Sequence, residues 1–295
     1  MHKAKKLAAI FAAVATAATF GGCVAPEINK PNEDEDYEIN GQLPEEDINN
    51  PSGEITLPEQ PEQQPGEEPP KTEEPAVPAV KPTVKTAAYV AVNSAGVNMR
   101  SGAGTQYSVV ATAEKSTLYT YLGEKDGWYI TRYRNRTVYI SKKYCVITEM
   151  NKSADEQIEA VIAEGTNVLG TPYVYGAVRL HDGKGNMLKG FSINAFDCSS
   201  LMQYMFYNGA NTLLQVNTRT QVYQGKTVTK SQLKRGDLMF FTNASRKNNT
   251  GVERIGHVAL YLGDNWILHT ASDYAKIEQI NSTRWGYFIQ AQRVL

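Results

Sequence analysis

FDCSSLMQYMFYNG (Phe196–Gly209) is the stretch on which the reading of the fold turns. Leu201, Met202, Met205 and Phe206 recur at helical spacing and Gly209 reads as a stop, so a helix starts at Asp197 or Cys198. A thiol at that position feels the positive end of the helix dipole and unpaired amide groups, which favour the thiolate and predict a lowered pKa. A cysteine at a helix start is by itself more often structural than reactive, so Cys198 needs a partner.

Partners lie downstream. GDLMFF (Gly236–Phe241), GHVALYLG (Gly256–Gly263) and WILHTA (Trp266–Ala271) read as successive sheet strands, with His257 and His269 on the last two. If Gly263, Asp264 and Asn265 form a three-residue loop, Ala259 faces His269, and alternation puts His257 on the same face, diagonal to His269. A two-residue loop instead sends His269 to the opposite face. Cysteine at a helix start plus two same-face histidines forms a set of nucleophile, base and orienter. Upstream, Lys152–Gly170 reads as a scaffold helix with a capping box at Ser153 and Glu156 and an apolar stripe of Ile158, Val161, Ile162, Val168 and Leu169.

GTPYVYGA (Gly170–Ala177), FDCSSLMQYMF, TRTQVYQG, KRGDLMFF, GHVALYLG, ILHTAS and QAQRVL follow one another in an order that resembles the NlpC-type bacterial cell-wall cysteine endopeptidases. The resemblance covers residues 153–295 and implies a papain-like α+β domain with the nucleophile helix packed on an antiparallel sheet. It assigns Cys198 as nucleophile, His257 as general base and His269 as the orienting residue. It further implies substrate contacts from Tyr173, Asp197 and Ser199. No metal or organic cofactor is needed. Three departures bear on substrate choice. Ala177 replaces a glycine, Ser200 replaces the glycine usual after Asp-Cys-Ser, and the connection Val178–Ala195 is long and leads into the nucleophile, where it is placed to line the cleft. His181, inside it, reads as an exposed loop residue.

Ahead of this domain, Tyr89–Ile147 contains short β-branched and aromatic runs broken by Gly, Asn and Asp, as in a small barrel. VNMRSGAGTQY, GWYITRY and TVYISKKY resemble the bacterial SH3-like domain, a module with no catalytic constellation that commonly binds wall peptides or packs against an enzyme. Cys145, in an apolar strand, reads as a buried small hydrophobe.

The remainder is built differently. Twelve of the 13 prolines fall between Pro26 and Pro82, and Val24–Lys85 carries 16 acidic and 4 basic residues, a net of -12. That run cannot bury enough apolar surface to offset its ordering entropy and reads as a disordered tether. Thr86–Leu295, with 15 acidic and 23 basic residues, is net +8. The chain opens with Lys3, Lys5 and Lys6 before an apolar stretch, Leu7–Phe20, that has the layout of a secretory signal and is short of the ~20 residues a spanning helix needs. Its TFGGC ending resembles a lipobox, which implies lipid on Cys23.

The expected organisation is a signal peptide (1–22), an acidic Pro-rich linker (23–85), an SH3-like domain (86–150) and a papain-like peptidase domain (151–295). Composition excludes a polytopic membrane protein, with hydrophobic residues at 41% and charged residues at 21%. Three cysteines cannot make a disulfide framework or by themselves a four-ligand zinc site, and His257 and His269 lack an evident third ligand at zinc spacing. The implied protein is an exported, lipid-anchored monomer that cleaves peptidoglycan stem peptides, at the bond after γ-linked D-glutamate, with no nucleic-acid partner. Two rival readings use the same residues: a catalytically silent wall-binding lipoprotein, and a papain-like amidase or acyltransferase.

Overall fold

A computed structural model of the protein describes residues 85–295, in which the Gly- and Asn-punctuated β-branched runs become eight short strands. These are β1 (Thr86–Val92), β2 (Val97–Arg100), β3 (Val109–Ala113), β4 (Leu118–Thr120), β5 (Gly123–Lys125), β6 (Trp128–Tyr133), β7 (Arg136–Ser141) and β8 (Cys145–Asn151). They form two antiparallel sheets, β4-β1-β8 and β3-β2-β7-β6-β5, over a core that includes Val90, Met99, Leu118, Val138 and Ile140. Arg134 and Asn135 join β6 to β7 with φ of 48° and 57°, the two-residue turn whose twist matches a hairpin. Cys145 is buried in this core, and burial pushes its thiol up to about 12. The expected signal peptide, with Cys23 and the Pro-rich segment up to residue 84, lies outside the described residues.

The second unit contains α1 (Glu156–Asn167), α2 (Cys198–Ala210), α3 (Thr218–Gln221), β9 (Lys226–Val228), β10 (Leu238–Phe241), β11 (His257–Gly263), β12 (Trp266–Ala271), β13 (Tyr274–Gln279), α4 (Ser282–Tyr287) and β14 (Phe288–Arg293). Its sheet runs β13-β12-β11-β10-β14-β9 with every pair antiparallel. Alternation along the strands makes two apolar faces. Leu238, Phe240, Val258, Leu260 and Leu268 share a core with Val161, Ile162, Leu201, Met202 and Met205 of α1 and α2. Met239, Phe241, Ala259, Ile267 and Ala291 form a separate cluster covered by Trp285, Tyr287 and Phe288. Full burial of each large side chain contributes about 1.5–3 kcal/mol. The α+β class expected from the sequence is the class found. Among the described residues no helix is long and apolar enough to cross a membrane.

Two helix ends differ from expectation. Asp155, not Ser153, caps α1 by accepting from Gln157 N, while Glu159 reaches back to Ser153 N at 2.9 Å, and the helix ends at Asn167 rather than Gly170. Gly209 is not a stop: it lies inside α2, where a Cβ would stand 2.4 Å from Val161 N, so it permits close approach of the two helices. The left-handed stop is Asn211, with φ of 51°.

The two units dock through polar contacts. Arg134 N and Nε donate to the carbonyls of Leu169 and Gly170 at 2.8 and 2.6 Å, and Asn135 N donates to Asn167 O at 2.7 Å. Arg235, only 8% exposed, pairs with both carboxylate oxygens of Glu159 at 2.6 and 3.0 Å and donates to Tyr89 Oη at 2.9 Å and Leu262 O at 2.8 Å. β13 is an edge of its sheet, and Thr117 pairs with Glu278 there as an antiparallel bridge. The β-rich unit thereby covers part of an edge that would otherwise expose unpaired backbone.

Candidate active site

Asp197 starts α2 through a reciprocal capping box: Asp197 Oδ1 accepts from Ser200 N at 2.7 Å and Ser200 Oγ accepts from Asp197 N at 2.9 Å. Ser200, the departure from the usual glycine, thus supplies half of the cap. The cap leaves Cys198 as the first helical residue, half-buried. Val258 and Ser199 present backbone N–H groups to its thiol.

The expected lowering of the Cys198 thiol is not found. Burial pushes the Cys198 thiol up to about 12, the adjacent Asp197 carboxylate adds to the rise, and the two N–H groups and Arg179 only partly oppose it. Desolvation outweighs the favourable helix start here, and the Asp197 carboxylate works in the same sense as desolvation.

β11 and β12 carry the histidines, and the loop joining them differs from expectation. Asp264 and Asn265 form a two-residue turn, with φ of 49° and 63°, and Gly263 faces Trp266. The register then shifts by one residue, so that Tyr261 faces Ile267 and Leu260 faces Leu268. Leu262 has no partner across the hairpin and is its bulge. A two-residue turn alone reverses the face of His269; the bulge restores it. His257 and His269 meet as the diagonal requires, His257 Nε2 3.0 Å from His269 Nδ1, with ring centroids 5.1 Å apart and planes at 81°.

Burial holds His257 well below the ordinary imidazole range, with His269 and Arg284 acting in the same sense. His269 is also lowered by burial, against the opposing pull of Glu278. His269 Nε2 stands 3.1 Å from Glu278 Oε1, an ion-pair distance rather than a well-aligned hydrogen bond. Burial works to raise Glu278, but the close contact with His269, then Arg284 and Lys276, outweigh it and hold the carboxyl at about 2. Burial thus works against charge on both the thiol and His257.

Tyr173, Cys198 and His257 line one cavity of about 250 Å³, together with Phe241, Ser272 and Arg284. Asp197 and Ser199 do not line it. Both are buried, Ser199 Oγ donates to Asp197 Oδ1 at 3.0 Å, and Asp197 Oδ2 lies 3.2 Å from an Arg179 guanidinium nitrogen. The connection 178–195 is absent from the cavity wall as well. It packs along α2, where Phe191 stacks on Tyr204 and tilts against Phe196. His181 is not exposed but 0% accessible. Its Nδ1 accepts from Gly183 N at 3.1 Å, its carbonyl accepts from Gln203 Nε2 at 3.2 Å, and its ring lies 5.4 Å from that of Tyr207.

Sequence reasoning missed Glu278 and Arg284. The signal for Glu278 is alternation on β13: Lys276 faces His269, so Glu278 is the diagonal neighbour of His269 on the far side from His257. Among the described residues no group of three or more His, Cys, Asp or Glu side chains is arranged to hold a metal ion.

An arrangement of this kind can add a thiol to a carbonyl and move its proton through an imidazole. The NlpC/P60 family profile matches residues 170–294, and that of the bacterial SH3 domain matches residues 95–145. The peptidoglycan endopeptidase RipA of Mycolicibacterium smegmatis is 30% identical over 43% of this chain and 24% of its own length. The gamma-DL-glutamyl hydrolase of Bacillus subtilis is 31% identical over 48% of this chain and 31% of its own. This chain therefore spans about a quarter to a third of these curated relatives. A solved NlpC/P60 family protein from Bacillus cereus is 21% identical, covering 71% of this chain and 64% of that one, with a TM-score of 0.38. The chain carries an NlpC/P60 family domain at residues 170–294, joined to a bacterial SH3 domain at residues 95–145.

Proposed function

We propose that this protein is a cysteine endopeptidase that hydrolyses peptidoglycan stem peptides, at the amide bond joining γ-linked D-glutamate to the diamino acid. The observation that carries the reading is one cleft holding a helix-start cysteine beside a buried histidine pair, within an NlpC/P60 domain. The name of the peptidoglycan endopeptidase supports the substrate class, and that of the gamma-DL-glutamyl hydrolase supports a γ-glutamyl linkage.

Because burial works against charge on both the thiol and the imidazole, His257 acts as a general base during attack rather than as half of a preformed ion pair. Its Nε2 is engaged with His269, which leaves Nδ1 to take the thiol proton as sulfur bonds to the amide carbon. The developing oxyanion meets the Cys198 main-chain N–H, which at the first helical position has no carbonyl of its own helix to bond, and Tyr173 across the cleft. His257 then gives its proton to the departing nitrogen as the C–N bond breaks. Water, deprotonated by His257, releases the thioester and restores the thiol. His269 orients His257. Asp197 and Ser199 serve the site by fixing the start of α2, with Arg179 against Asp197.

Mass spectrometry of purified peptidoglycan after incubation tests the reading. Intact glycan with new free D-glutamyl γ-carboxyls and diamino acid amines is expected; cleavage only in the glycan, or none at all, overturns it. His257→Gln should lose roughly 100- to 10,000-fold, because an amide cannot cycle a proton near neutral pH, while His269→Gln should keep part of the activity that His269→Ala loses.

We further propose export and a lipid anchor on Cys23, with a tether up to residue 85, an SH3-like module to residue 150 and the peptidase domain beyond. The end of β8 at Asn151 and the start of α1 at Glu156 support that last boundary. Cys23→Ala should move the protein from the membrane to the soluble exported fraction, since the apolar start is shorter than the ~20 residues that span a bilayer. Retention on washed membranes would instead identify an uncleaved anchor.

A further inference from the structure

His257, His269 and Glu278 form one line of side chains running diagonally across three adjacent strands, β11, β12 and β13. Glu278 Oε1 also accepts from an Arg284 guanidinium nitrogen at 2.7 Å, and Lys276 Nζ lies 4.0 Å from its other oxygen. Around this carboxylate the charged groups are thus His269 from β12, Arg284 from α4 and Lys276 from its own strand. From the SH3 side, Glu114 reaches Lys276 at 3.5 Å, and Thr117 bridges Glu278 itself through the backbone. Glu278 is held from both units and has little freedom to leave His269.

We propose that Glu278 is a positioning residue whose carboxylate fixes the tautomers of both histidines, and so decides which nitrogen His257 offers to Cys198. This rests on the reading of Cys198 and His257 as the hydrolytic pair. A carboxylate has only acceptors, so the His269 nitrogen facing it, Nε2, carries a hydrogen. His269, lowered by burial, is neutral at neutral pH, so its Nδ1 is a bare acceptor. His257 Nε2, 3.0 Å away, must therefore donate, which leaves His257 Nδ1 bare to receive the thiol proton. Reverse the tautomer of His269 and its Nδ1–H faces His257 Nε2, which then accepts. The neutral His257 ring now carries its hydrogen on Nδ1, and the base is blocked. The carboxylate stabilises the first arrangement over the second, and as His257 takes the thiol proton its negative charge, relayed through His269, stabilises the imidazolium.

The test uses the full chain with ¹⁵N-labelled histidine and the variants Glu278→Gln and Glu278→Ala. Ring-nitrogen shifts report tautomers directly, without reference to activity. In the wild type, His257 and His269 should both show the Nε2–H form. Glu278→Ala should populate the Nδ1–H form of His269 and lower kcat roughly 10- to 100-fold, a part of the ~100- to 10,000-fold that a general base contributes, with little change in KM. Glu278→Gln, whose amide oxygen still accepts, should recover most of the wild-type tautomer and part of the rate. Wild-type tautomers and kcat in Glu278→Ala overturn the proposal, as does an Nδ1–H His269 in the wild type. If the wild type cleaves no wall peptide but the tautomers respond to Glu278, the hydrolytic reading fails and the positioning role stands. A loss of kcat with unmoved tautomers overturns the positioning role alone.

Discussion

Cys198→Ala is expected to release no wall peptides, a fall on the order of 10⁴-fold or more, while melting within a few degrees of the wild type. The size follows from the chemistry: without the sulfur no covalent intermediate forms, and His257 is left a base with nothing to activate. The fold should tolerate the change because the capping box is made by Asp197 and Ser200, and Ala is well accepted in a helix. Cys145→Ala is the matched control. That thiol is buried in the SH3 core and outside the cleft, so activity should persist with a stability loss of about 1 kcal/mol. Rates of peptide release alongside circular-dichroism melts check both. Release by Cys198→Ala at the wild-type rate would remove the thiol from the mechanism.

The largest expected effect on stability is at Arg235. Arg235→Ala leaves the Glu159 carboxylate, the Leu262 carbonyl and the Tyr89 hydroxyl without the guanidinium that now meets all three. Removing one partner of a buried pair costs about 3–5 kcal/mol, mostly the penalty of an uncompensated charge. For a unit of this size each kcal/mol lowers Tm by about 2–4 °C, so a fall of roughly 6–20 °C is expected in calorimetry. The double change Arg235→Met with Glu159→Leu should recover much of it, since apolar replacement of a whole buried pair is often close to neutral. A loss below about 1 kcal/mol in Arg235→Ala would put the pair in the class of surface ion pairs.

Period and punctuation made the central parts of the fold legible. The apolar positions of α2 repeat at helical spacing, and β10, β11 and β12 are long enough to alternate, so the cysteine and both histidines fall on recognisable elements. Alternation and turn residues likewise mark the hairpin at Arg134–Asn135. What the sequence conceals depends on contacts between distant segments. Gly209 looks like a stop because nothing local says that Val161 presses against it. His181 looks exposed because the burial of its loop depends on Gln203 and Tyr207 of α2. The helix start of Cys198 is written in Asp197 and Ser200, but the desolvation that raises its thiol is a property of the packed site. Glu278 becomes visible only once the register between β12 and β13 is known.

Leu262 ties these matters together. As the bulged residue it keeps His269 on the side of His257, and its carbonyl is the one that Arg235 holds at the junction with the SH3 unit. The hairpin behaves as a parity device. A slip of one residue in the pairing of Tyr261 with Ile267 turns one histidine away from the other, and it would also displace an acceptor of the interdomain arginine. A register slip in this one turn would therefore be felt twice, at the base of the reaction and at the junction with the SH3 unit.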